Sequence, residues 1–206
     1  MLEWSEYIKI FTALLAILNP WGALPLFLAI TSNSSKDERK HIVRTIGLSV
    51  AIVLTITALI GEKLLLFFGI SVASFQVGGS ILLLLTAIEM MHGKAKRGEE
   101  AEFAMDMGSV AVVPLSVPLI AGPGSISTVI IYVNLSNSLA HLAIIIVCIL
   151  LAALLTWLIL RAAQQVGNFI GVIGLNIASR LMGLLLSAIA VEFFAHGIVK
   201  LLPGLS

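Results

Sequence analysis

Two short segments rich in proline and glycine, NPWGALP at residues 19–25 and PLIAGPGS at residues 118–125, interrupt long apolar runs of the sequence. Proline removes a backbone donor and clashes with the preceding helical turn, while glycine gives little resistance to unwinding. Each segment therefore predicts a break or kink in a helix. The peptide groups that such a break exposes cannot face lipid, so both breaks must be buried in protein or line a polar cavity.

The composition around these segments is that of a membrane protein. Of the 206 residues, 59% are hydrophobic and 11% are charged, whereas about 25% of the residues in a soluble domain are charged. A membrane crossing needs about 20 apolar helical residues, so the length leaves no room for a soluble catalytic domain. We predict an all-α, polytopic membrane protein with six transmembrane helices, near residues 7–31, 43–61, 70–91, 108–134, 139–160 and 175–199.

Charge and cysteine content exclude several classes of protein. The 12 basic and 11 acidic residues leave a formal charge of +1, which excludes a nucleic-acid-binding protein that relies on an overall basic field. Cys148 is the single cysteine, which rules out an intrachain disulfide and a cysteine-rich metal site. We expect the lipid bilayer as the surroundings, no nucleic-acid partner, no cofactor and no metal.

The basic residues are distributed unevenly between the two sides of six spans. One side holds Lys36, Arg39, Lys40, Arg44, Lys94, Lys96, Arg97 and Arg161, and the other holds Lys9, Lys63 and Lys200. Because positive residues concentrate on the cytoplasmic side, the larger set predicts that side. Six is an even number of spans, so both termini then lie on the outer side of the cell (inner) membrane.

The two halves of the chain correspond weakly at a spacing of 103 or 104 residues. Pro20 corresponds to Pro123, Gly79 to Gly183, and the triplet at residues 32–34 to the one at residues 136–138. Three spans per half is an odd number, so the second half must enter the membrane from the opposite side. We therefore predict a 3+3 inverted-topology repeat, residues 1–103 and 104–206, with broken first and fourth helices, as in many secondary transporters.

The paired breaks predict a binding site near the middle of the membrane. The half-helices that follow the breaks point amides and positive dipole ends inward, which favours a carboxylate, and the carbonyls that the prolines release can accept from an ammonium. Neither segment contains a charged residue, so a charged substrate side chain would be buried uncompensated. The predicted substrate-binding residues are Asn19, Pro20, Trp21, Gly22, Ala23 and Pro25 of the first segment and Ala121, Gly122, Pro123, Gly124 and Ser125 of the second.

Both breaker motifs resemble the signature segments of a known family. Asn19-Pro20-x-Gly22-x-x-Pro25-x-Phe27, together with residues 118–125, looks like the paired motifs of the MarC family, also called the neutral amino acid transporter family. The resemblance covers essentially the whole chain. It implies a six-span, inverted-repeat carrier whose substrates are small neutral amino acids such as glycine and alanine.

Ionisable and hydroxyl residues within the spans suggest further roles. An intramembrane carboxylate is a candidate for ion coupling, which makes Glu192 a possible ligand of a proton or sodium ion, with an interfacial position near His196 as the alternative. Ser125 or Ser127 with His196 suggests an intramembrane serine protease, but Gly124-Ser125-Ile126-Ser127 lacks the Gly-x-Ser-Gly pattern of rhomboid proteases.

The function that we predict from these features is a secondary transporter of small neutral amino acids that alternates access around the midplane site, and not an enzyme. A channel is a further alternative, although no charged ring or filter sequence is present. The sequence leaves open the coupling cation and whether the chain forms a homo-oligomer.

Overall fold

The computed structural model describes residues 2–92 and 121–202. Within these residues the backbone forms α-helices and no strand, which confirms the predicted all-α class. The polar link at residues 94–106 and the first part of the predicted fourth span, residues 108–120, lie outside the described residues. The helices are α1 Trp4–Leu18, α2 Pro20–Ile30, α3 Lys36–Phe67, α4 Val72–His92, α5 Pro123–Val133, α6 Leu139–Arg161 and α7 Ala163–Leu201.

Length and composition make this chain a multi-pass membrane protein. Five stretches of the described residues are long and apolar enough to cross a membrane, namely Trp4–Leu24, Lys36–Phe67, Val72–His92, Leu139–Arg161 and Ile173–Leu201. The sixth apolar helix, α5, is a short one. Large apolar side chains cover the outer faces of the long helices, where lipid would contact them, and include Leu48, Ile52, Ile56, Leu150, Leu154, Leu181 and Leu184.

The first span is broken one residue before its first proline. Helix α1 ends at Leu18, and Asn19 adopts the left-handed conformation with φ 41° and ψ 58°. Asparagine tolerates this conformation better than most residues, and proline cannot supply the amide that would continue the ladder. A separate helix, α2, then begins at Pro20.

The second breaker segment also begins a helix at its proline. Gly122 is the N-cap of α5 and Pro123 is its first residue, a position where the missing amide costs nothing. The part of the fourth span that precedes this start lies outside the described residues. The break in that span therefore stays a prediction on its N-terminal side.

Helix starts in the two halves keep the register of the predicted repeat. Helices α2 and α5 each have 11 residues and begin at prolines 103 positions apart, Pro20 and Pro123. Helices α3 and α6 begin at Lys36 and Leu139, again 103 apart. The division at residue 103 and the inverted orientation of the halves stay predictions.

Two helices extend well beyond their predicted spans. Helix α3 begins at Lys36 because Ser35 and Glu38 form a capping box: the Glu38 amide donates to Ser35 Oγ at 3.3 Å, and the Ser35 amide donates to Glu38 Oε2 at 2.7 Å. Helix α7 begins at Ala163 and is interrupted at Gly171, whose φ of 69° favours glycine. Hydropathy detects only the apolar part of each helix.

Glycines bring α7 and α5 close to α4. A Cβ atom built on Gly183 of α7 would lie 3.0 Å from the Ala87 carbonyl oxygen, and one on Gly197 would lie 2.7 Å from Val77 Cγ2. A Cβ atom on Gly79 of α4 would lie 2.5 Å from Ser127 Cβ. Small residues permit such close approaches, which supply packing energy where lipid weakens the hydrophobic drive between helices.

We predict that Asn33 and Asn137, exposed residues in corresponding loops of the two halves, lie on opposite sides of the membrane. In a background in which the buried Cys148 is replaced by alanine, single cysteines introduced at these positions are treated with a membrane-impermeant thiol reagent in intact cells. The cysteine at position 137 should react from outside, and the cysteine at position 33 should react only after the membrane is opened. Labelling of both from the same side would contradict the inverted repeat.

Candidate functional site

Asn19 caps the half-helix that follows the first break. Its side-chain oxygen Oδ1 accepts from the Gly22 amide at 3.1 Å, and its backbone oxygen accepts from the Ala23 amide at 3.2 Å. Pro20 has no amide hydrogen. The Trp21 amide is thus the first-turn donor that Asn19 does not engage, and it lies at the positive end of α2.

The second half-helix starts in a similar way without a capping side chain. The Gly122 backbone oxygen accepts from the amides of Ser125 and Ile126 at 3.0 and 3.2 Å, and from Ser125 Oγ at 2.8 Å. Pro123 again contributes no donor. The Gly124 amide therefore occupies in α5 the position that the Trp21 amide occupies in α2, 103 residues earlier.

The two breaks approach each other against one face of α4. A Cβ atom built on Gly124 would lie 3.9 Å from Ile17 Cγ2, just before the first break, and 2.6 Å from Leu83 Cδ2. The side-chain amide nitrogen of Asn19 lies 3.6 Å from Met90 Sδ. Leu83 and Met90 are two turns apart on α4, about 10 Å along its axis at 1.5 Å per residue. The structure thus brings the predicted segments together beside α4, a helix that sequence reasoning did not assign to the site.

Side chains fill the space beside both glycines of the predicted site. A Cβ atom on Gly22 would overlap the side chain of Asn19, and one on Gly124 would overlap Leu83. A ligand that contacts either glycine therefore requires the neighbouring side chain to move. Substitution of these glycines by leucine would disturb packing as well as any binding, which makes Asn19 the better residue to test.

The remaining predicted residues differ in burial. Ala121 and Ser125 are buried, and Trp21 and Ala23 are half-buried. Pro25 and Pro123 are placed by their backbone, and their side chains lie outside the description. No cluster of three or more His, Cys, Asp or Glu side chains that could hold a metal ion occurs in the described part of the chain.

Glu192 and His196 lie together on an exposed face of α7. Their side chains are 70% and 62% exposed, with His196 Nδ1 3.5 Å from Glu192 Oε1. Glu192 therefore lies on the exposed surface and not among the buried residues beside the helix breaks. Ser125 is 1% exposed and donates to a backbone carbonyl, so its surroundings differ from those of His196, its partner in the protease alternative.

Sequence comparison agrees with this architecture. The family described as MarC family integral membrane protein matches residues 4–202. The chain belongs to the MarC family. Its relatives include the UPF0056 membrane protein YhcE of Escherichia coli strain K12, 39% identical over 98% of this chain and 96% of the relative. Another is the UPF0056 membrane protein MJ1677 of Methanocaldococcus jannaschii, 37% identical over 96% and 98%. No solved structure matches the chain.

A buried histidine ties three helices of this MarC family protein together, and sequence reasoning missed it. His141 of α6 is fully buried; its Nδ1 lies 2.9 Å from the Tyr7 hydroxyl of α1 and its Nε2 lies 2.8 Å from the Tyr132 carbonyl oxygen of α5. Because a carbonyl oxygen only accepts, Nε2 carries hydrogen, and in the neutral ring Nδ1 accepts from Tyr7. The sequence feature that could have indicated this role is the single histidine in the apolar run at residues 139–160.

An arginine side chain donates a hydrogen bond at the C-terminal end of α2, the half-helix of the first half. Arg39 of α3 donates to the Thr31 carbonyl oxygen just after α2 at 2.7 Å and to Gln164 Oε1 of α7 at 2.5 Å. Thr31 and Tyr132 both lie at the C-terminal ends of half-helices, where carbonyls lack intrahelical partners. In each half, a basic side chain from the next helix thus supplies a donor to the end of the half-helix.

We predict that His141→Ala destabilises the folded protein by about 1–3 kcal/mol, because it leaves the Tyr7 hydroxyl without its buried partner. It also removes one of two donors to the Tyr132 carbonyl, which still accepts from the Leu135 amide at 3.2 Å. The melting temperature of the purified variant in detergent should fall. His196→Ala, at an exposed histidine, is the matched control and should melt like the wild type. A His141→Ala variant with unchanged melting would contradict a structural role for these hydrogen bonds.

Proposed function

We propose that this protein is a secondary transporter of small neutral amino acids, with its substrate site between the two helix breaks. The observation that carries the proposal is the approach of the second half-helix to the residues just before the first break, beside α4. Gly124 of the second half lies against Ile17, two residues before the break in the first half. Paired discontinuous helices of this kind form the substrate sites of many secondary transporters.

The arrangement suits the carboxylate of an amino acid. The Trp21 and Gly124 amides lie at the positive ends of α2 and α5, where an anion is stabilised. The Asn19 side-chain nitrogen adds a third donor, and its present acceptor is the Met90 thioether at 3.6 Å. Since a thioether accepts only weakly, a substrate carboxylate would be the stronger partner.

The apolar surroundings of the breaks favour a small, neutral side chain. Ile17 and Leu83 flank Gly124, and Met90 flanks Asn19. A charged side chain placed here would need a counter-ion that neither breaker segment supplies. Glycine and alanine carry their compensating charges within the zwitterion and present little side-chain volume.

Transport follows if the two halves rock around the bound substrate and open the site to each side in turn. The half-helices must then move without loss of their end contacts. The Arg39–Thr31 and His141–Tyr132 hydrogen bonds would let each half-helix move together with the helix that follows it. The Arg39–Gln164 and His141–Tyr7 hydrogen bonds join the two halves, so they would have to break or shift during this movement. The coupling ion is a proton or sodium, and we expect the protein to lie in the cell membrane with both termini outside.

We predict that the purified protein in liposomes carries radiolabelled glycine and that unlabelled alanine competes with it. Methylamine and ethylamine lack a carboxylate and should not compete, because they cannot use the amides of the half-helix N-termini. Glutamate and lysine should compete poorly. Imposed proton and sodium gradients identify the coupling ion. Equal competition by a primary amine, or an absence of flux for every neutral amino acid, would contradict the proposal.

We predict that Asn19→Asp abolishes binding while the helix break is preserved. The carboxylate can still accept from the Gly22 amide and cap α2, but it offers no donor and repels the substrate carboxylate. The variant should melt like the wild type in detergent and should lose the stabilisation that saturating glycine gives, since stabilisation by a ligand follows its affinity for the folded state.

Asn134→Asp is the matched control for this substitution, because Asn134 follows the far end of α5 and donates to the Ile130 carbonyl oxygen. It should keep the stabilisation by glycine. If Asn19→Asp responds to glycine like the wild type, Asn19 acts only as a helix cap.

A further inference from the structure

The buried face of α4 contains a polar acceptor without a partner. Gln76 is 3% exposed, and its side-chain oxygen Oε1 makes no hydrogen bond. Four side-chain atoms among the described residues share this condition, and Gln76 Oε1 is the one among them that can only accept. An unpaired buried acceptor destabilises the folded protein, because it has given up its hydrogen bonds to water. Such a group in a membrane protein marks a candidate ligand site.

Neighbouring helices approach α4 on both sides of Gln76. Gly79, three residues after Gln76, packs against Ser127 of α5. Val77, the residue after Gln76, packs against Gly197 of α7. Ser80, one turn from Gln76, is also buried, and its hydroxyl donates to the Val77 carbonyl oxygen at 2.6 Å. Gln76 therefore lies in a polar strip between α4, α5 and α7.

The polar strip leads toward the second helix break. Ser125, Ser127 and Thr128 are buried residues in the first half of α5. The hydroxyls of Ser125 and Thr128 donate to the carbonyl oxygens of Gly122 and Gly124, at the break itself, and α5 contains no charged residue. Gln76 is seven residues from Leu83, which contacts Gly124, so it lies about 10 Å along α4 from the break at 1.5 Å per residue. Gln76 is also the fifth residue of α4, nearer to the membrane surface where that helix begins.

We propose that Gln76 forms an accessory site for a positively charged group on the path between this surface and the central site. The inference rests on the proposed function. The group is either the ammonium of the transported amino acid or a small coupling cation such as sodium, and an amide oxygen suits both. A neutral acceptor binds the ammonium of a zwitterion without trapping it, because the substrate brings its own carboxylate.

The test compares Gln76→Met with Gln76→Glu in liposomes. Gln76→Met keeps the length of the side chain and removes the amide oxygen, so the KM for glycine should rise about tenfold. Gln76→Glu keeps oxygen acceptors and should hold the KM at or below the wild-type value. Ser179→Ala removes another buried polar group without a partner, the Ser179 hydroxyl, so it is the control and should transport like the wild type.

Replacement of sodium by choline separates the two sources of positive charge. If Gln76 binds the substrate ammonium, the effect of Gln76→Met is the same in both salts. If it binds sodium, the wild type is stimulated by sodium and Gln76→Met is not. A Gln76→Met variant with the wild-type KM in both salts overturns the accessory site. So does a Gln76→Glu variant whose KM for glycine rises as much as that of Gln76→Met, since that rise assigns the role to the amide nitrogen.

Thermal stability can be measured without a transport assay, so it tests the accessory site separately from the proposed function. The melting temperature of each detergent-solubilised variant is followed as glycine or sodium chloride is added. Stabilisation of the wild type that Gln76→Met loses and Ser179→Ala retains supports the accessory site even if no transport is found. A wild type that neither compound stabilises contradicts it. If Gln76→Met does not fold, Gln76→Leu replaces it in both assays.

Discussion

Backbone donors and acceptors without a partner are far more costly in a membrane than in water, and the architecture of this chain depends on that constraint. An unbroken helix satisfies its own peptide groups, whereas a helix that stops midway leaves several amides and carbonyls unpaired. The chain meets this need at most positions. Asn19 and the Gly122 carbonyl engage amides at the starts of the half-helices, and Arg39 and His141 engage carbonyls at their ends. These caps do not engage the Trp21 and Gly124 amides, which bind the substrate in our proposal.

Packing along α4 gives these breaks their positions. The buried face of that helix contacts Gly124 through Leu83, Asn19 through Met90 and α7 through Ala87. The glycines at 79 and 183 permit the close approaches of α5 and α7 to α4, whereas Gly78 has no atom within 4 Å of where its Cβ would lie. A helix held by close contacts to both halves can transmit a movement of one break to the other.

The features predicted from the sequence were those with a local chemical cause. Proline and glycine predicted the breaks at residues 19–25 and 118–125, and long apolar runs predicted the spans. The Tyr7–His141 hydrogen bond could not be predicted in this way, because it joins residues 134 positions apart. The capping box that extends α3 and the interruption at Gly171 do depend on nearby residues. The spans were predicted from hydropathy alone, which detects neither feature. For the candidate site, the sequence identified the break at Asn19 and the helix start at Pro123. It could not identify the contribution of α4, because that depends on how the helices are arranged in space.

The most direct test of the account is the position of a bound substrate. The structure of the purified protein would be determined with saturating glycine and compared with one determined without it. Our account predicts additional density between the Trp21 and Gly124 amides, with the Asn19 side-chain nitrogen turned from Met90 toward the carboxylate. Glycine bound elsewhere, with both breaks unchanged, would contradict the claim that the paired half-helices form the substrate site.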